Sequence, residues 1–284
     1  MRTHLLSLLA LLLPACRPGD TGDPEPEDTS VTHGEVRVGE PCPRLELAGV
    51  VELTAEGGDV NLGGAIYGAP WPLVGPPVLE NEHCSYHRYD ASACGQCPGT
   101  LVCGGGGVCV PLPTVLTDLT VVASAGGTSH TVQSDPTYGW LWEQWSDGGE
   151  DWALEVGFGQ DTFEVPAMAI AAQVEGLAVT TEYDDYHGPG ALDASWTPRQ
   201  DGALVRTEIP INHHAGTGTS TLCEAGAEVG GFHADAEMID PLAVITGLEF
   251  QGVWTMHVAA AHTSVGCVEV RMGTYAYVQP VVGG

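Results

Sequence analysis

ALDASWTPRQDGALVRTEIPI, residues 191–211, decides the fold class. In its second half Val205, Thr207, Ile209 and Ile211 hold alternate positions, with Arg206 and Glu208 between them. Successive side chains of a strand point to opposite faces, so this alternation predicts a strand with one apolar and one charged face. Leu192 to Trp196 reads as a second strand. Thr197-Pro198-Arg199-Gln200-Asp201-Gly202 between them is built of turn residues, and the whole predicts a β-hairpin.

The same punctuation recurs on both sides. Leu45, Leu47, Val51 and Leu53 alternate with polar partners up to Glu56-Gly57-Gly58-Asp59, a turn signal. Leu116 to Ala123 is an apolar strand. Trp152, Leu154, Val156 and Phe158 alternate with Ala153, Glu155 and Gly157. Val253 to Ala259 and Val268 to Val278 supply closing strands. Only Ala234 to Ile245 reads as helix, with Asp235 as N-cap and Gly247 as stop. Short strands divided by turns, with one short helix, predict an all-β fold: a β-sandwich, Ig-like or jelly-roll-like, carrying a disulfide-rich insert.

The N-terminus sets the compartment. The apolar run Leu5 to Leu13 is about half the roughly twenty residues a membrane-spanning helix needs. Arg2 and His4 precede it, and Ala15 lies just before Cys16, the layout of an export signal. Leu13-Pro14-Ala15-Cys16 resembles the lipobox of bacterial lipoproteins, which implies lipidation at Cys16 and an acyl anchor in the membrane. Behind it, Asp20, Asp23, Glu25, Glu27 and Asp28 repel one another and Pro18, Pro24 and Pro26 stiffen the chain, the composition of an extended tether. The expected organisation is signal peptide over 1–15, lipidated cysteine and tether over 16–38, strands with the cysteine-rich insert over 39–110, and the sandwich over 111–284. The expected location is the cell envelope, at the outer membrane or the periplasm-facing leaflet.

Net charge is −29, and all eight cations are arginine. Nucleic acid and anionic headgroups both need a positive face, so neither is an expected partner. The absence of lysine excludes any mechanism that needs a lysine Schiff base or a lysine ammonium.

Besides Cys16 there are eight cysteines, an even number in an exported chain, which reads as four disulfides. The glycine-rich stretch from Cys84 to Cys109 has too little apolar surface for a core and needs cross-links to hold it. The expected pairs are Cys94 with Cys103, Cys97 with Cys109, Cys42 with Cys84, and Cys223 with Cys267. The last would close a loop of about 45 residues and contribute about 4 kcal/mol. The competing reading is zinc on Cys94-Gly-Gln-Cys97 with His83 and His87 nearby; the wide spacing of Cys103 and Cys109 and the oxidising compartment argue for disulfides.

Three stretches, CGQCPGTLVCGGGGVCV, ALDASWTPRQDGALVRTEIPINHH and IDPLAVITGLEF with HTSVGCVEVRM, resemble a family of uncharacterised lipoproteins of myxobacterial type. That family joins a lipobox and acidic tether to a cysteine-rich insert and a C-terminal β domain. His213-His214-Ala215-Gly216 stands where the family pattern has a His-Gly pair. The resemblance implies architecture and no activity.

Two groups of residues are candidate sites. Asp184, Asp185 and His187 in EYDDYH, with His213 and His214, could gather zinc, or calcium if carboxylates alone served, and so support a metal-dependent hydrolase. Trp140, Trp142 and Trp145 could form an aromatic face for a polysaccharide, or else pack in the core with their indole nitrogens satisfied at its rim. No GxSxG elbow and no spare cysteine supports nucleophilic catalysis, so no catalytic residue is assigned. The expected role is a non-catalytic binding or structural surface module, with a surface glycan or an envelope protein as partner.

Overall fold

Alternating sequence becomes strand throughout the described residues. The structure, a computed structural model, describes residues 34–146, 151–184, 188–210, 218–243, 252–278 and 281–282. In chain order the strands begin with β1 (Val36–Val38), β2 (Leu47–Glu56), β3 (Asp59–Ile66), β4 (Pro77–Glu80) and β5 (Cys84–His87). The insert contributes β6 (Leu101–Cys103) and β7 (Cys109–Pro111). Then come β8 (Thr120–Ala125), β9 (Thr128–Gln133), β10 (Leu141–Trp145), β11 (Asp151–Phe158) and β12 (Asp161–Ala169). The last third holds β13 (Ala178–Asp184), β14 (Gly188–Ser195), β15 (Leu204–Pro210), β16 (Ser220–Gly226) and β17 (Gly231–Ala234). Helix α1 (Ala236–Ala243), β18 (Val253–Thr263), β19 (Gly266–Ala276) and β20 (Val281–Val282) follow.

A ten-stranded sheet runs β10-β3-β2-β19-β18-β15-β16-β5-β4, with β1 also paired to β18. Its inner face is covered by two smaller sheets. The first, β12-β11-β8-β9, packs on β2, β3, β10, β18 and β19 through Val51, Leu53, Val270, Met272, Trp152 and Leu154. The second, β17-β14-β13-β20, packs with α1 on β5, β15 and β16 through Leu192, Ile239, Val205 and Ile209. This is a sandwich with all-β layers, and burial along β11 alternates as a half-buried strand requires. At the Glu56-Gly57-Gly58-Asp59 turn both glycines have positive φ, 63° and 98°, which suits a tight hairpin.

Residues 191–210 do not form the expected hairpin, and Ile211 lies outside the described residues. β14 pairs with β13 and β17 in a small sheet, whereas β15 pairs with β16 and β18 in the large one. The segment between them arches from one layer to the other. Its backbone groups bond outward: Thr197 N donates to Glu175 O at 2.8 Å and Arg199 N to Ala227 O at 3.1 Å. The Trp196 indole, buried, donates to Ala227 O at 2.8 Å and pins the crossing. Nor is residue 110 a boundary between folded parts. β2 and β3 lie beside β19, and β5 lies beside β16, so strands before and after it share one sheet.

The four disulfides are Cys42–Cys267, Cys84–Cys223, Cys94–Cys103 and Cys97–Cys109. The two inside the insert are the expected ones. The expected pairs Cys42–Cys84 and Cys223–Cys267 are exchanged, because strand order rather than sequence distance brings the sulfurs together. Cys84 sits directly opposite Cys223 on adjacent β5 and β16. Cys42 lies in the segment leading to β2, the parallel neighbour of β19, which carries Cys267.

Candidate functional site

The outer face of the large sheet carries the charged half of the alternating strands. Val51, Leu53, Val270, Met272, Val205 and Ile209 point inward, so Glu52, Glu269, Arg271, Arg206, Glu208 and Glu224 point outward. Register sets opposite charges side by side: Arg271 stands across from Glu52, and Arg206 across from Glu224. Arg206 Nη1 and Arg271 Nε each donate to Glu269 Oε1 at 2.6 Å. Arg271 Nη1 donates to Glu52 Oε1 at 3.0 Å, and Arg206 Nε to Glu224 Oε2 at 2.5 Å. Glu269 Oε2 accepts from the backbone N of Cys42 at 2.9 Å, so the Cys42–Cys267 disulfide clamps a loop over the buried carboxylate. Beside this relay, Arg44 pairs with Glu208, and Ser220 Oγ donates to Glu208 Oε1 at 2.9 Å.

These groups floor a pocket of about 520 Å³. Arg44, Arg206, Glu208, Glu269 and Arg271 are polar groups of its lining, and Trp71, Trp254 and Tyr275 are its aromatic walls. Trp254 and Tyr275 lie across from one another on β18 and β19, with ring centroids 5.1 Å apart. The volume suits a small molecule. Three of the eight arginines of a chain carrying −29 converge here.

Electrostatics limit the chemistry. Burial by itself raises the Glu269 carboxyl, but the Arg206 and Arg271 guanidiniums outweigh it and hold the group at about 2. Burial likewise raises Glu208, and Arg44 with Ser220 pulls it below the ordinary carboxylate range. Burial opposes charge on Arg206, yet Glu269 and Glu224 leave it more firmly protonated than usual. Both lining carboxylates therefore stay ionised at neutral pH and neither serves as a general acid. What they offer is a rigid array of donors and acceptors beside flat apolar rings.

The sequence-derived candidates fall elsewhere. Asp185, His187, His213 and His214 lie outside the described residues, and Asp184 is placed only as the last residue of β13, opposite Gly188. Cys16 lies outside them too. The tryptophans divide. Trp145 is buried, stacked on His130 at 4.4 Å, and near Trp152 at 5.5 Å. Trp140 and Trp142 are 58% and 72% exposed, so the three form no single face. The indole nitrogen of Trp145 has no hydrogen-bond partner among the described residues, contrary to the expected rim bond, and neither has that of its neighbour Trp152.

In the insert, the sulfurs of Cys94, Cys97 and Cys109 lie within 4.8 Å of one another, but each is bonded in a disulfide and none is a thiolate. His87 is buried between Gly75 O and Ser85 Oγ, at 2.9 and 3.0 Å, and burial lowers its pKa.

Sequence reasoning noticed Arg206 and Glu208 only as the polar side of a strand. The usable signal was charge at alternate positions inside otherwise apolar strands, VRTEI and VEVRM. Arg or Glu with that spacing in a central strand has to meet a partner on the neighbouring strand.

No family model matches the chain, and no curated protein matches it. Among solved structures it has a likeness to the chicken CNTN1 FN1–FN3 domains, at 8% identity over 75% of this chain and 78% of that one. The TM-score is 0.18, too low to bear on function, and the architecture rests on the strands and sheets described above. No helix among the described residues is long and apolar enough to cross a membrane.

Proposed function

We propose that this protein is a lipid-anchored module of the cell envelope that captures a small polar ligand without transforming it. The observation that carries the reading is the pocket on the outer sheet face, with its ionised Arg–Glu floor and its Trp254–Tyr275 wall. Paired charges held by neighbouring strands are preorganised, so binding does not have to order them. What supports the anchor is the Leu13-Pro14-Ala15-Cys16 ending, and the acidic, proline-containing composition behind it suits a spacer.

Two measurements test this. Cells fed labelled palmitate should incorporate label into the wild-type chain and not into Cys16→Ala. Full-length protein in detergent, dialysed against a small-molecule extract of the envelope, should retain a compound that mass spectrometry recovers unchanged. Trp254→Ala should release it. A compound recovered in altered form, or nothing retained by the wild type, overturns the reading.

A second reading has one observation behind it: Trp142 is the most exposed tryptophan in the described residues, on an edge strand of the large sheet. It would serve as a platform for a polysaccharide.

A further inference from the structure

The pocket and Trp142 share one face of one sheet. Leu141 and Trp145 of β10 enter the inner core, so Trp142 and Gln144 project outward. Gln144 Nε2 donates to Asp59 Oδ2 at 2.9 Å, which puts both on that outer side. The register then draws a row across four adjacent strands. Trp142 stands opposite Gly63, Gly63 opposite Glu52, and Glu52 opposite Arg271, which lines the pocket. Three strand spacings make this row about 14 Å long. Gly63 has no side chain, and a Cβ there would meet only Leu141 O at 3.9 Å, so the row is open over β3.

The charge pattern selects the ligand. Arg44, Arg206 and Arg271 face Glu208 and Glu269 in the pocket, and Glu52 and Glu224 adjoin them. Each guanidinium already has a carboxylate, so the floor carries little uncompensated charge with which to hold an ion. It presents donors and acceptors together, which suits hydroxyl groups, since each both donates and accepts. Flat rings beside such an array suit a ligand with an apolar face and a hydroxylated rim. A pyranose has both.

Resting on the reading of the pocket as a ligand site, we infer that the outer face is a continuous track for a linear, neutral oligosaccharide. One end sits against Trp254 and Tyr275 over the Arg–Glu floor. The chain then crosses Gly63 and stacks its far sugar on Trp142.

The test uses full-length protein in detergent and neutral oligosaccharides from one to six sugars, each beside a uronate-bearing counterpart, with affinity read by calorimetry. Affinity should rise with length until the track is filled, should prefer the neutral series, and should change little with added salt. Trp142→Ala should abolish the gain with length. Trp254→Ala should weaken every length by about tenfold or more, and Trp254→Phe, which keeps a ring, should restore part of it. Binding that ignores length and Trp142, or that favours the uronates and collapses in salt, overturns the track. If no saccharide binds but the dialysis compound is retained and lost in Trp254→Ala, the inference fails and the pocket reading stands. If neither binds, both fail.

Discussion

Glu269 is 1% exposed, yet it holds a negative charge because two guanidiniums and one backbone N–H converge on it. Removing one partner of a buried ionic set leaves the others uncompensated. Glu269→Gln is therefore expected to cost about 3–5 kcal/mol, measured by urea unfolding. The same geometry sets an acid limit. The folded pKa, about 2, lies below the ordinary 4.5, so ionised Glu269 favours the folded state above pH 4.5. That contribution, on the order of 3 kcal/mol, drains away as pH falls from 4.5 towards 2. Thermal melts across that window should lose stability steeply in the wild type and less so in Glu269→Gln.

Neighbouring tryptophans give a second contrast at this scale. Trp145 is 8% exposed and packed against His130 and Trp152, so Trp145→Ala is expected to cost about 3–5 kcal/mol. Trp142 is 72% exposed, and Trp142→Ala should shift the same unfolding curve by no more than about 0.5 kcal/mol.

At the scale of the element, alternation was a faithful guide to strand existence and a poor guide to pairing. β11, β15, β18 and β19 all lie where the sequence pattern predicts strands. The turn-rich stretch after Trp196 misled because turn residues end strands without choosing the next partner. Pro198 and Gly202 serve an arch between layers as well as they would serve a hairpin. Glu56-Gly57-Gly58-Asp59 was legible because a two-residue loop is too short to carry the second strand anywhere but beside the first.

Close approach of strands is less visible in sequence. Gly64 of β3 has φ 137°, and a Cβ there would lie 2.1 Å from Val50 O on the adjoining β2. The atoms it would meet, Val50 O, Val50 C and Val51 Cα, are all backbone and cannot yield as a side chain could. Gly64→Ala is expected to destabilise by about 2 kcal/mol or more, read from the denaturation midpoint.

For the whole molecule, the covalent links divide by reach. Cys42–Cys267 spans 225 residues and fastens the loop that roofs Glu269. Replacing both cysteines by Ser should cost about 2–5 kcal/mol. Cys94–Cys103 spans 9 residues within the stretch 91–111, which adds no residue to the two main core clusters. Its loss should move global unfolding by less than about 1 kcal/mol, while hydrogen exchange in the insert accelerates. The insert still touches the pocket, since Gly105 N donates to Pro72 O at 2.8 Å, next to the lining residue Trp71. Ligand affinity should therefore fall in Cys94→Ser/Cys103→Ser even where stability does not.

What the sequence determined alone was local: that β2, β11, β15, β18 and β19 are strands, which face of β11 and of β15 is apolar, and that eight cysteines are joined in four disulfides. These follow from the period of side-chain direction and from composition, which neighbours in the chain suffice to set. Only the tertiary structure decided that the segment between Ser195 and Leu204 arches between layers, that Cys42 meets Cys267, and that Glu52, Arg271, Glu269, Arg206 and Glu224 join in one relay. Those contacts bring together residues far apart in the chain. They depend on the order and register of strands in the sheet, which the period within any one strand does not contain.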